Sequence, residues 1–204
     1  NGREYSLNLP NKWSKELGQA IGWLVGDGWL RKGDKNCRVG FTFSQEDSAV
    51  MNHLKTIINN YYGKDINEIK RENGVYHLSY HSKYFVEFFE KLGVKACKAE
   101  GKVFPELILT APKVAVIGFL QGLFTADGTV TEEGYVSLAS VSEKLIEDTQ
   151  QLLLSLGMPS YKFVTEERDG AYGNNPLFRL SIITERGLEI FSQEIKFLAE
   201  KKNQ

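Results

Sequence analysis

The sequence predicts an α+β fold of two pseudo-symmetric αββαββα halves, residues 1–100 and 101–204, joined at a central seam of two helices. Three observations carry that expectation. The stretch GQAIGWLVGDG at 18–28 returns as GFLQGLFTADG at 118–128, a constant offset of 100 residues. Within each copy small residues fall at every fourth position, Gly18, Gly22 and Gly26 in the first and Gly118, Gly122 and Ala126 in the second. After each copy the same order of strand-like and helix-like periodicities follows, and self-similarity at a fixed offset marks a repeated structural unit.

Spacing of four puts the small residues on one helical face. Glycine weakens a helix interior by about 1 kcal/mol relative to alanine, so two glycine-striped helices need a compensating gain. Close backbone approach supplies it, with Trp23, Leu24, Leu120 and Leu123 packed around the seam. Each helix is expected to stop at Asp-Gly, with Gly28 and Gly128 in the left-handed conformation that ends helices. Asp27 and Asp127 then leave the seam side by side.

The rest of the first half follows in order. An extended stretch with a polar turn covers 29–44, and Val50, Met51, Leu54, Ile57 and Ile58 predict an amphipathic helix that Gly63 ends. A second strand pair turns near Gly74, with alternation at Val75, Leu78 and Tyr80, and a helix over 83–92 stops at Gly93. The second half repeats this with strands over 129–141, a helix from Ser142 to Leu156, strands at 161–166 and 177–183, and a helix from Arg186 to Phe197. Pro159 and Pro176 sit at strand borders, where proline is tolerated.

Composition narrows the function. No apolar run approaches the roughly 18 residues of a membrane span, and the amino terminus lacks a signal-peptide pattern, so a cytoplasmic, membrane-free setting is expected. Cys37 and Cys97 are isolated and read as reduced packing residues, and His53, His77 and His81 suggest no zinc cluster. Trp23 and Trp29 read as core and seam packing. The net charge of -1 is low for a phosphate-gripping protein, which shifts attention to where the charges lie.

The residues IGWLVGDG and LQGLFTADG resemble the two copies of the LAGLIDADG motif of homing endonucleases, at that family's spacing for a single chain. The dialect is similar to intein-type endonuclease domains. Lys102-Val103-Phe104-Pro105 resembles the Lys-x-Ile-Pro segment before the second motif, and the stretch from Ile195 to Lys202 resembles an Ile-Gly-Phe segment with a downstream lysine. Lys196 stands where that segment has glycine, and either Lys201 or Lys202 fits the lysine, with Lys202 favoured.

The resemblance implies a monomer with an internal pseudo-two-fold axis that makes a staggered double-strand break in DNA, nucleoid-associated when on DNA. It implies catalytic Asp27, Asp127, Lys102 and Lys202. Mg2+, replaceable by Mn2+, would be held by Asp27 and Asp127 with the backbone at Gly26 and Ala126. With Asn1 at one end and Asn203-Gln204 at the other, no splicing domain or self-splicing is expected. The chemistry agrees: magnesium prefers oxygen ligands, and phosphodiester hydrolysis needs an activated water and a stabilised leaving oxygen. A cleavage-inactive nucleic-acid binder, such as a maturase or transcription regulator, is the alternative. A pure interaction domain leaves the matched aspartates unexplained.

The strand pairs are expected to form a saddle on the major groove. Arg31, Lys32, Lys35 and Arg38 face only Asp34 in their segment, and Lys70, Arg71, His77 and His81 extend the set. In the second half Lys162, Arg168, Arg179 and Arg186 are cancelled by Glu166, Glu167, Asp169 and Glu185, so the first half dominates the grip. Glu87, Glu90, Glu143, Glu147 and Asp148 read as solvated faces of outer helices.

Overall fold

The structure, a computed structural model, describes residues 6–165 and 176–203. The first half runs α1 (Lys15–Asp27), β1 (Gly28–Arg31), β2 (Arg38–Phe43), α2 (Ser48–Tyr62), β3 (Ile69–Lys70), β4 (Tyr76–Tyr80) and α3 (Lys83–Lys91). The second runs α4 (Lys113–Asp127), β5 (Gly128–Val130), β6 (Val136–Ser140), α5 (Glu143–Ser155), β7 (Tyr161–Thr165), β8 (Leu177–Ile182) and α6 (Glu185–Ile190). The two four-stranded sheets have matching orders, β1-β2-β4-β3 and β5-β6-β8-β7, with every pairing antiparallel. The expected α+β architecture of two αββαββα halves is therefore present.

The seam explains why α1 and α4 are apolar on all sides. Leu17–Gly26 and Ala115–Thr125 are buried throughout, as a helix surrounded by protein must be. A Cβ on Gly18 or Gly22 would overlap backbone of Ala115 or Phe119, and one on Gly118 or Gly122 would overlap backbone of Lys15 or Gln19. The helices thus touch main chain to main chain. One polar cluster interrupts the apolar seam: Gln19 donates to Gln121 at 2.6 Å, Gln121 donates to the Ile195 carbonyl at 2.9 Å, and His53 meets Gln19 at 2.8 Å. A single core joins both halves.

Three details depart from expectation. Gly28 (φ -112°) and Gly128 (φ -93°) are extended, because each helix passes straight into a strand. Glycine is needed there for space, since a Cβ would overlap the carbonyl of Phe124 at Gly128 and crowd Leu24 at Gly28. In β4 the inward residues are Tyr76, Leu78 and Tyr80, with Val75 out of phase before the strand. The last predicted helix ends early: α6 gives way to a π-helical turn over Phe191–Ile195, then Lys196 at φ 60° and ψ 158°.

That backbone region belongs almost solely to glycine, and other residues there are strained by about 1–3 kcal/mol. Lys196→Gly is therefore expected to raise stability by about 1 kcal/mol or more, read as a higher urea midpoint. An unchanged or lower midpoint would show that Lys196 is not strained.

Candidate active site and nucleic-acid interface

The helix ends converge where electrostatics is least favourable for acids. The carboxyl end of a helix carries partial negative charge, and no basic residue lies in the last turn of α1 or α4. Yet Asp27 and Asp127 are the final residues of those helices. They lie close together: a Cβ on Gly26 would stand 2.6 Å from the Ala126 Cβ and 3.3 Å from Asp127 Oδ2. Burial pushes the Asp27 carboxyl up to about 7, the Asp127 charge pushes the same way, and Lys102 opposes both. Burial likewise raises Asp127, against Lys102 and Lys202.

Each lysine caps one helix end. Lys102 donates from Nζ to the Gly26 carbonyl, and its own carbonyl accepts from Ser142 Oγ at 2.6 Å, which ties it to the start of α5. Lys202 donates to the carbonyls of Thr125 and Gly128 at 2.8 and 2.7 Å. Burial lowers the Lys202 ammonium, while Asp47, Asp27 and Asp127 pull it up. Lys201 instead lines a groove with Gln45, Glu46 and His53. Between the two lysines, geometry puts Lys202 at the motif helices.

Asp47 is a residue that sequence reasoning missed. It closes a capping box with Ser44, accepting from Ser44 N and Oγ at 3.1 and 2.6 Å, just before α2. From there its charge acts on Asp27 and Lys202. The Ser44-x-x-Asp47 pattern was visible, but its position beside the aspartates depends on the packing of α2 against α1.

The aspartates open on a cavity of about 490 Å³ lined also by Gly26, Lys102, Ala126 and Arg179. Among the described residues no three His, Cys, Asp or Glu side chains converge to hold an ion by themselves. Two buried carboxylates with raised affinity for protons are hard oxygen donors short of positive charge, which suits a divalent cation completed by water and phosphate oxygens. The Gly26 carbonyl already accepts from Lys102, so it offers a metal only its remaining lone pair.

Register separates the two faces of each sheet. Phe41 pairs with Gly28 and Leu78 on the core face, so Trp29, Arg31, Arg38, Thr42 and His77 lie on the open face. Arg71, joined by its Nε to His77 Nδ1 at 3.2 Å, lies there too. Trp29 is thus not core packing. Its indole covers Gly40, and the Arg38 guanidinium sits 5.6 Å from the ring centroid. Trp23 does pack in the core, stacked 4.8 Å from Phe43.

Several predicted contacts move off the open face. Lys32 pairs with Glu90 of α3 at 2.9 Å. Lys70 shares the helix side with Tyr76, its ammonium 5.7 Å from that ring. Lys162 is opposite Leu180 on the helix side and pairs with Glu143 and Glu147 at 2.8 and 2.6 Å. The outer-helix acids are therefore partners of lysines: Glu87 meets Lys83, and Asp148 meets Lys144. Lys35 lies exposed in the β1–β2 loop, and His81 lines a cavity beside it, with Ser79 Oγ 3.5 Å from its Nε2. Arg179 holds the open face of the second sheet, while Arg168 lies outside the described residues.

Residues 115–196 match the family model of a LAGLIDADG-like domain. The crystal structure of I-DmoI in complex with DNA and Mn superposes with a TM-score of 0.66 over 89% of this chain and 96% of that one, at 19% identity. The amino-terminal LAGLIDADG domain of DUF199/WhiA gives 0.55 over 95% of this chain and 89% of that one, at 15% identity. In sequence, the chain is 28% identical over 158 residues to a DNA polymerase of Thermococcus kodakarensis, covering 72% of this chain and 9% of the polymerase. It is 29% identical over 192 residues to a component of the A-type ATP synthase of Pyrococcus abyssi, covering 92% of this chain and 17% of that protein. A glutamine–fructose-6-phosphate aminotransferase of Methanocaldococcus jannaschii is 25% identical over 96% of this chain and 17% of its own length. The chain thus spans less than a fifth of each of these relatives.

Proposed function

From a single chain built of two LAGLIDADG-like halves, we propose a site-specific endonuclease that makes a staggered double-strand break in a long DNA target. The observation that carries this reading is the pair Asp27 and Asp127, buried together at two helix ends, each carboxyl raised by burial that Lys102 and Lys202 only partly offset. A bound Mg2+ or Mn2+ would supply an activated water and a Lewis acid at the scissile phosphate. Asp27 and Asp127 would hold it, one from each half, so that each DNA strand meets its own carboxylate. Lys102 and Lys202, fixed by helix-end carbonyls, present ammonium charge to the phosphate as negative charge builds in the transition state. The open faces of the two sheets position the duplex over the cavity.

The relatives support a mobile origin. A polymerase, an aminotransferase and an ATP synthase component share no common activity, yet each matches this chain over a small part of its length. A segment inserted into different hosts explains that pattern, as an intein endonuclease that homes into uninterrupted alleles would produce. The WhiA likeness favours a second reading, nucleic-acid binding without cleavage.

The test incubates the protein with Mg2+ and a plasmid library carrying uninterrupted host-gene alleles, then sequences the ends. Wild type is expected to give one recurrent break with 5′-phosphate and 3′-hydroxyl ends, and an Asp27→Asn, Asp127→Asn variant none. Equal cutting by both would remove the assigned site. Binding without cutting by the wild type would favour the second reading.

A further inference from the structure

The two open sheet faces are superposable in register but differ in where they carry arginine. Gly28 pairs with Phe41 and Gly128 with Leu138, so the two sheets align position by position from the motif ends outward. Arg31 lies opposite Arg38, and the matching positions are Thr131 and Tyr135, which are bonded backbone to backbone at 2.9 Å. Arg71, bonded to the Val75 carbonyl, matches Thr165 opposite Leu177. Three arginine positions of the first face are thus threonine or tyrosine on the second. The one exchange in the other direction is His77 for Arg179.

Two arginines of the first face, Arg38 and Arg71, are held beside aromatic rings. Trp29 lies flat over Gly40, the Arg38 guanidinium rests against its ring, and Arg38 Nε is buried without a hydrogen-bond partner among the described residues. A guanidinium immobilised by stacking keeps its donor fork while losing little freedom on binding. Arg71 Nε donates to His77 Nδ1, which leaves the His77 proton on Nε2 as an outward donor. In the major groove such donors match the paired acceptors O6 and N7 of guanine.

Where the first face has arginines, the second offers methyl and ring carbon around Arg179, with Phe163 at the position Ile69 holds on the first. Phe163, opposite Arg179, is 52% exposed and Tyr161, opposite Ser181, 47%. Ala139 shares their face, and Thr129 is exposed at its rim. Alanine, the threonine methyl and phenylalanine are the side chains that pack on the 5-methyl group of thymine.

Resting on the DNA-binding reading above, we infer that the target is composite: the half under the first sheet is recognised at guanines by Arg38, Arg31 and Arg71, the half under the second at thymine methyls by Phe163, Ala139 and Thr129. The whole chain is used to select duplexes from a randomised library with Ca2+ in place of Mg2+, and wild-type affinity is then measured for modified copies of the selected site. Guanine is expected to be enriched in one half and thymine in the other. 7-Deazaguanine in the first half should weaken binding about tenfold, and uracil for thymine in the second severalfold, while the reciprocal placements cost less, 7-deazaguanine in the second half acting only at a guanine under Arg179 and uracil in the first only at a thymine under Ile69 or Thr42. Arg38→Gln should erase the preference in the guanine half alone, and Phe163→Ser that in the thymine half alone, which assigns each half to its sheet.

Like base preferences in both halves, or modified bases that cost nothing, overturn the inference while leaving the DNA-binding reading intact. Failure of the selection to enrich any sequence is a separate outcome, which overturns that reading and the inference with it.

Discussion

Gly22→Val is expected to leave the chain without its cooperative fold. A Cβ at Gly22 overlaps the Phe119 carbonyl and stands 2.7 Å from the Leu123 nitrogen, both main-chain atoms of a helix buried on every side. Neither can swing away, so α1 and α4 must separate, opening the core that joins the halves. Overpacking costs about 1–3 kcal/mol when side chains can adjust and more when they cannot. A domain stable by about 5–15 kcal/mol has little room for two such branches. Gly22→Ala is the graded form, with an expected fall in Tm of roughly 6–12 °C for a loss of about 3 kcal/mol in a chain of this size. Gly33→Ala, whose Cβ would meet only the Asn36 carbonyl at 3.7 Å, serves as control and should melt like wild type. Circular dichroism melts of the three variants decide the matter; a Gly22→Ala protein as stable as the control would mean the helices do not touch as described.

The second large effect concerns pH. Asp27 is raised from 3.8 to about 7 in the folded protein, mainly by burial and then by the Asp127 charge. An acid raised by folding keeps its proton in the native state after the unfolded chain has lost it. Its contribution is therefore intact below about pH 4, falls as pH rises, and is fully lost above about pH 7. For Asp27 the loss amounts to about 4 kcal/mol at most. In EDTA, urea unfolding is expected to show the protein less stable at pH 8 than at pH 5, with Asp27→Asn more stable than wild type at pH 8 and keeping the smaller fall that buried Asp127 contributes, and with Asp27→Asn, Asp127→Asn nearly flat across the range. Mg2+ should recover stability for wild type and not for the Asp27→Asn, Asp127→Asn protein. A wild type whose stability rises from pH 5 to pH 8 in EDTA would contradict this electrostatic picture.

Much of the architecture was legible because its causes are local or repeated. The small-residue stripe requires a helix partner at backbone distance, and the constant offset supplies it, so the meeting of Asp27 with Asp127 followed from sequence. What escaped depends on which face of a strand a residue occupies and what lies across the chain from it. Lys32 and Lys162 counted as DNA contacts until α3 and α5 brought Glu90, Glu143 and Glu147 to them. Trp29 looked like core by composition, but a shift of one residue in β1 turns a side chain to the other face, and it fell with Arg31. Lys202 could be separated from Lys201 only by tracing the chain after the π-helical turn, and Asp47 only by the packing of α2. The outcome sharpens the expected imbalance: the first sheet keeps three arginines on its open face, whereas the described part of the second keeps Arg179 alone.

In the proposed enzyme Asp27 and Asp127 jointly hold the divalent ion at a DNA strand. The most direct test is Mn2+ anomalous diffraction from crystals of the protein bound to its selected DNA. Anomalous density is expected within coordination distance of both carboxylates and of a phosphate oxygen, and none there in the Asp27→Asn, Asp127→Asn protein. Strong peaks elsewhere, with the two aspartates uncoordinated in the DNA complex, would contradict it.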